Sequence, residues 1–169
     1  RVVPYLDMPI QHGSDAVLAR MRRPERAASI RSRVAQLREA VPDVAVRTTC
    51  IVGFPGETDD DFARLCDLLE DVRFDRVGAF TYSPQEGTRA AEYDDDVPAE
   101  VKRERLDRLT DVQRAIGAER AERLVGRTAP AIVDRAAGRG RRAEGWLLWQ
   151  ADDIDGVTYF DDAPPAVPG

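Results

Sequence analysis

Residues 48–57 read Thr-Thr-Cys-Ile-Val-Gly-Phe-Pro-Gly-Glu, a β-prone run that ends in a Gly-x-x-Gly turn and passes at once into a helical pattern. A strand feeding a helix through so tight a turn restricts the chain to an α/β arrangement, in which ligands bind at the C-terminal edge of the strands. Val44, Val46, Ile51 and Val52 predict a strand buried on both faces. Gly53, Pro55 and Gly56 then break it and let backbone amides approach a ligand. Thr58 and Asp61 make an S/T-x-x-D signal close to a capping box, with Asp59 and Asp60 in the same first turn. Carboxylates at that helix N-terminus, and no lysine in the loop, argue against a phosphate cradle. A zwitterionic or neutral ligand fits the turn, and so does a plain strand-to-helix connection without a ligand.

The flanking segments extend the pattern. Residues 2–10 form a short apolar run that ends in Gln11, His12, Gly13 and Ser14, read as a strand followed by a functional loop. Ser14 is placed to cap a short helix carrying Val17, Leu18 and Met21, which stops at Arg23-Pro24 because a residue before proline avoids the α region. A second helix follows with Ala27, Ile30, Val34, Leu37 and Val41 as its apolar stripe, ended by Pro42-Asp43. Arg31, Arg33 and Arg38 lie off that stripe and predict a solvated face. The helix from 58 to about 72 carries Phe62, Leu65, Leu69 and Val72. A strand over 76–82 leads into the polar loop Gln85-Glu86-Gly87-Thr88, and Pro98 opens a helix to about residue 124 with Leu106, Leu109, Val112 and Ile116 inward. Strand and helix alternate three times, which predicts parallel strands with right-handed crossovers, part of an α/β barrel or an open sheet.

After Gly126 the pattern changes to β-prone segments at 128–133, 145–150 and 157–160, separated by Gly- or Asp-rich turns. So short a module has few residues for an independent β core, and no closing strand is visible before Pro168-Gly169, so it reads as cut short. Arg1 in place of Met, followed by strand-like Val2 and Val3, reads as the inside of a longer protein. Cys50 and Cys66 sit on strand and helix positions without Cys-x-x-Cys or His neighbours, and are expected to pack rather than bind metal. His12 is the sole histidine and is expected to pack or bond to backbone; a multi-histidine metal site is excluded. A net charge of −6 weakens the case for non-specific nucleic-acid binding. No apolar run approaches a membrane span and no secretory signal is seen, so a cytoplasmic, non-membrane protein is expected.

Three stretches, Pro-Tyr-Leu-Asp-Met-Pro-Ile-Gln-His-Gly-Ser, Arg-Thr-Thr-Cys-Ile-Val-Gly-Phe-Pro-Gly-Glu-Thr and Asp-Arg-Val-Gly-Ala-Phe-Thr-Tyr-Ser-Pro-Gln-Glu-Gly-Thr, together resemble the radical S-adenosylmethionine methylthiotransferases. Gln85-Glu86, where the tRNA-modifying branch is expected to carry arginine, and the acidic segment Ala151-Asp152-Asp153-Ile154-Asp155-Gly156 resemble the branch that modifies a ribosomal small-subunit protein. The resemblance implies residues 1–122 as the second half of a radical SAM partial (β/α) barrel and residues 123–169 as an incomplete, OB-like TRAM module. It also implies an enzyme that methylthiolates the β-carbon of an aspartate, using S-adenosylmethionine and two 4Fe-4S clusters. The Cys-x-x-x-Cys-x-x-Cys motif is absent, so the cluster ligands are expected outside this chain, which alone is expected to be inert. No catalytic or metal-ligating residue is assigned within it.

The same resemblance makes Gln11, Ser14, Arg47, Thr49, Ile51, Gly53 and Glu57 the candidate cofactor set. Thr49 stands where the family's Gly-x-Ile-x-Gly-x-x-Glu pattern has its first glycine. Ile51 would give apolar contact to the adenine, Gly53 close backbone approach, Gln11 and Ser14 hydrogen bonds, and Arg47 a pair for a carboxylate. Gln11 and Ser14 read equally well as loop polarity and helix capping, and Arg47 as a solvated surface group. The five aspartates within 151–162, with no Lys or Arg, would suit a basic ribosomal protein or form a solvated acidic loop, and Trp146-Leu147-Leu148-Trp149 departs from the family's more polar pattern. The alternatives are the tRNA-modifying branch, with the arginine-rich helices as its footprint, and a non-catalytic binding module for a basic protein.

Overall fold

A computed structural model describes residues 3–138, 140–152 and 154–161 of the chain. The expectations placed on Arg1, Val2, Asp153, Asp162 and the end at Pro168-Gly169 lie outside the described residues. Strand β1 (Tyr5–Asp7), helices α1 (Asp15–Arg20) and α2 (Ala27–Ala40), β2 (Ala45–Val52), α3 (Asp59–Val72), β3 (Arg76–Thr81) and α4 (Ala99–Glu122) follow in that order. The three strands form one parallel sheet in the order β1-β2-β3, as the alternation predicts. A short 3-10 turn, Arg89–Glu92, lies between β3 and α4.

Helices cover one face of this sheet. Val46, Cys50 and Val52 point into a core with Ile30 and Val34 of α2, Leu65, Leu68 and Leu69 of α3, Phe74, and Leu109 and Ile116 of α4. The expected burial of β2 on both faces is corrected here: its burial alternates, and Arg47, Thr49 and Ile51 on the other face are only half-buried. The reason is the period of two, which turns every second side chain to a face without helices. In register with them on β3 stand Gly78 and the exposed Phe80.

Two polar side chains fix the chain ends around this core in ways the apolar pattern does not reveal. The Thr48 hydroxyl donates to Met8 O and accepts from Ile10 N–H, so it holds the chain where β1 stops. Beyond it, Gln11 resumes pairing with β2 through Thr49 O and Ile51 N–H, with its backbone left-handed at φ 69°. Arg38 corrects the expectation of a solvated face: its guanidinium donates to Val72 O at 2.5 Å and Arg73 O at 2.7 Å, capping the carbonyl end of α3. A cation there also meets the negative end of the helix dipole.

The strands β4 (Ala131–Arg135), β5 (Ala143–Leu147) and β6 (Thr158–Phe160) form a separate antiparallel sheet in that order. Gly145 is required where β5 crosses β4, since a Cβ there would lie 1.9 Å from Ile132 O. Arg127 ties the module to the core by pairing with Asp43 at 3.0 Å and stacking over Trp149 at 5.1 Å.

Candidate functional site

The Gly-Phe-Pro-Gly-Glu turn at the end of β2 is organised around a buried carboxylate. Glu57 is 4% exposed, and its Oε2 accepts the N–H groups of Gly53 at 2.7 Å and Phe54 at 3.2 Å. Its Oε1 accepts from Arg105 of α4 at 2.9 Å, and the same guanidinium reaches Glu57 O and Asp59 Oδ1. His12, fully buried, accepts the Ser14 N–H at Nδ1, which leaves Nε2 as the protonated nitrogen facing Glu57 Oε2 at 3.3 Å. His12 thus bonds to backbone, as expected. A buried charge so paired and hydrogen-bonded is a structural clamp between three elements.

The glycines of the turn are spaces for protein groups. Gly53, at φ 71°, leaves room for the methylenes of Lys102, whose Cγ would lie 2.3 Å from a Cβ there. Lys102 in turn pairs with both oxygens of Asp95 at 2.6 Å and lies 5.3 Å over the Tyr82 ring. Gly56, at φ 74°, accommodates the Arg20 guanidinium and donates its N–H to Asp96. The amides of Gly53, Phe54 and Gly56 are therefore all taken by protein carboxylates. Arg105 and Lys102 are the residues the sequence reading missed; charged residues on the inward side of α4, at 102 and 105 before Leu109, were the signal.

What the turn does present is an aromatic floor. Phe54 meets Tyr82 edge to face at 5.1 Å and Tyr93 at 6.2 Å, and Val17, Met21 and Ile51 pack beside them. The Tyr82 hydroxyl donates to Ala90 O, and burial, with help from the Asp95 carboxylate, pushes its phenol upward in pKa. Above this floor opens a cleft of about 530 Å³ at the C-terminal edge of β2 and β3, where ligands gather in parallel α/β sheets. Gln11, Thr49 and Ile51 line it together with Phe54, Phe80 and Tyr82.

The remaining candidates lie elsewhere. Ser14 caps α1 through Ala16 N–H and donates to Asp61 Oδ1 at 2.5 Å, so its hydroxyl faces α3. Arg47 pairs with Asp7 at 2.5 Å and with Asp155 at 3.8 Å on the open face of the sheet, so the carboxylates it finds belong to the chain. Asp155 is thereby turned inward, which leaves the acidic segment with less outward charge than its sequence suggests. Burial, then the Asp155 carboxylate, hold the nearby Tyr5 phenol far above its ordinary range. Gly53 and Glu57 belong to the clamp beneath the floor.

Asp61 yields a prediction. Burial alone would raise its carboxyl, but hydrogen bonds from Ser14 and Thr58 outweigh it and hold the group below its ordinary 3.8. A carboxyl depressed in the folded state contributes stability that is present above the unfolded value and lost as pH falls through the lower folded value. Ser14→Ala is expected to move the acid-unfolding midpoint to higher pH and to leave stability near neutrality reduced by about 1 kcal/mol through the lost cap. Circular dichroism melts across the acid range check this.

Both thiols face the core. Burial raises Cys50 to about 12 and also raises Cys66, so neither is a ready thiolate. Neither fits as an iron–sulfur ligand, whereas the cleft, apolar below and polar at Gln11 and Thr49, fits a nucleoside.

Comparison with known proteins agrees with this geometry. Residues 2–69 match the model of the radical SAM superfamily. Over all 169 residues the chain is 45% identical to the ribosomal protein uS12 methylthiotransferase RimO of Klebsiella pneumoniae subsp. pneumoniae and 43% identical to that of Proteus mirabilis. It spans 38% of the length of each of these curated relatives. The solved structure of coproporphyrinogen III oxidase (HemN) from Escherichia coli, a radical SAM enzyme, matches 68% of the chain and 27% of its own with a TM-score of 0.58. At 21% identity that likeness is one of fold. Over its whole length the chain is thus similar to the RimO-type methylthiotransferases, its residues 2–69 match the radical SAM superfamily, and its fold is like that of a radical SAM enzyme.

Proposed function

We propose that the chain supplies one wall of the S-adenosylmethionine pocket, and the beginning of a substrate-recognising TRAM module, in an enzyme that methylthiolates the β-carbon of an aspartate in ribosomal protein uS12. The observation that carries this reading is the cleft where Gln11, Thr49 and Ile51 meet the Phe54–Tyr82 floor. There Ile51 and Phe54 would offer an apolar and aromatic surface to the adenine, and Gln11 and Thr49 hydrogen bonds to the ribose. When bound beside a 4Fe-4S cluster, S-adenosylmethionine supplies the radical chemistry typical of the superfamily. This chain's share is to bind and orient the nucleoside on a rigid floor. Residues 1–122 form the barrel portion in this reading and residues 123–169 the TRAM portion, working in the cytoplasm on a basic ribosomal protein. Both clusters take their ligands from outside the chain.

The test is anaerobic reconstitution of the full-length protein with iron, sulfide and reductant, incubation with S-adenosylmethionine and uS12, and mass spectrometry of the uS12. A gain of one methylthio group on an aspartate is expected. No gain on uS12, or a gain on tRNA instead, overturns the reading. The 169-residue chain alone is expected to take up no stoichiometric cluster and to cleave no S-adenosylmethionine; cleavage by it would refute its inertness.

A further inference from the structure

At the edge of the sheet opposite the cleft, the charge balance of the chain reverses. Where β2 and β3 begin, a recess of about 290 Å³ is lined by Arg38, Arg76, Arg120, Arg123 and Arg127, against two carboxylates, Asp43 and Asp75. The net charge of −6 belongs to the chain as a whole, so this edge carries the opposite sign. Both carboxylates are already engaged. Asp75 accepts the Val46 N–H at 2.9 Å and the Arg120 Nε–H at 2.6 Å, and lies 3.7 Å from Arg38. Asp43 holds Arg127 at 3.0 Å.

Two guanidinium groups are left over. Arg76 gives one N–H to the Asp75 carbonyl, and neither it nor Arg123 makes an ion pair among the described residues. The crowding of like charge is felt at Arg38: burial, then the Arg120 charge, pushes it below its ordinary pKa, and Arg123 adds to the effect while Asp75 opposes it. Like charges held together without counter-ions of their own draw an anion from outside. The layout narrows the kind of anion. The arginines run from the end of α2, across the starts of the strands, to the end of α4 and the chain after it, so they meet a row of charges rather than a single carboxylate. Arg127 also lies over the half-buried Trp149. Guanidinium forks beside an aromatic ring are the means by which proteins hold RNA, with phosphates on the forks and bases against rings.

We propose that this recess docks the phosphodiester backbone of RNA, with Arg76 and Arg123 as the phosphate contacts and the other three arginines as their frame. The proposal rests on the reading of the chain as part of an enzyme for a ribosomal protein, whose surroundings are ribosomal RNA. The cleft lies at the C-terminal edge of the same strands, so RNA held at their beginning leaves it open. One molecule thereby grips the ribosomal particle at one edge of its sheet and receives uS12 at the other.

The test follows a fluorescein-labelled oligouridine of about twelve nucleotides by anisotropy, with the full-length protein across a salt series. Binding is expected at low salt and should be lost as salt rises. With single strands each phosphate contact contributes about 0.7 to the slope of log affinity on log salt, so Arg76→Ala/Arg123→Ala should lower the slope by about 1.4 and weaken low-salt binding about tenfold. Arg76→Lys/Arg123→Lys keeps both charges and should keep the slope. Both double variants should melt with the parent protein, because Arg123 is exposed and Arg76 bonds only to backbone. No binding at low salt, or a slope unchanged in the alanine variant, overturns the proposal. Competition by oligoglutamate as effective as that by unlabelled oligouridine gives the recess to an acidic protein and overturns it as well. Methylthio transfer is then compared on small ribosomal subunits and on free uS12, where the alanine variant should be slowed about tenfold on the subunits only. Equal slowing on both, or none on the subunits, overturns the docking role. RNA binding that passes these tests without any transfer to uS12 by the unaltered protein sinks the functional reading alone.

Discussion

Glu57→Ala is expected to cost about 3–5 kcal/mol, because it removes the buried counter-ion of the Arg105 guanidinium and leaves it only the exposed Asp59. The Gly53 and Phe54 amides lose their acceptor in the same step, and a buried donor left unpaired carries its own penalty. Urea unfolding read by circular dichroism measures it. Arg105→Ala should fall in the same range, since it exposes the same pair from the other side. The double variant Glu57→Leu/Arg105→Met should recover part of the loss, because an apolar pair of similar volume buries no charge, while the Gly53 and Phe54 amides stay without their acceptor. A double variant that is as unstable as the sum of the single ones would contradict this account of the clamp.

Phe54→Ala is the second large effect, expected at about 3–5 kcal/mol for a buried aromatic side chain cut to a methyl. Its signature should differ from that of the clamp. Tyr82 and Tyr93 lose their edge-to-face partner, so the near-ultraviolet circular dichroism of the tyrosines should weaken even below the unfolding transition. The cleft loses its floor in the same variant, and S-adenosylmethionine binding by the full-length protein should fall with it. Phe54→Leu, which keeps most of the volume without the ring, should restore stability more than it restores binding.

Much of the framework is legible in the sequence because it is periodic. The stripes of α2 and α3, the Thr58 cap with Asp61, and the parallel order of three strands follow from spacing and from the residues that break it. Burial of β2 on both faces was misread because Thr48 and Thr49 look alike in sequence, while the sheet sends one into the core and the other to the cleft. The site was legible in part. Thr49 and Ile51 could be placed by alternation and by the turn after them. For Arg105 and Lys102 only a charge on the inward side of α4 was legible, and for the inward Asp155 nothing, because each owes its burial to a partner about 50 residues or more away, or, for Lys102, to a loop whose course no periodicity fixes. The same holds for Arg38, which looks like a solvated helix residue until the end of α3 is placed beside it.

Lys102 is the sole lysine of the chain, and it is 8% exposed, with its stem against Gly53 and its ammonium on Asp95. Amine-directed reagents therefore find a single side-chain target, one that is shielded while the turn after β2 keeps its shape. The rate at which Lys102 is acylated, followed by peptide mass spectrometry, becomes a clock for the opening of that turn alone, set apart from global unfolding. A ligand that seats on the Phe54 floor should slow this clock without touching the lysine.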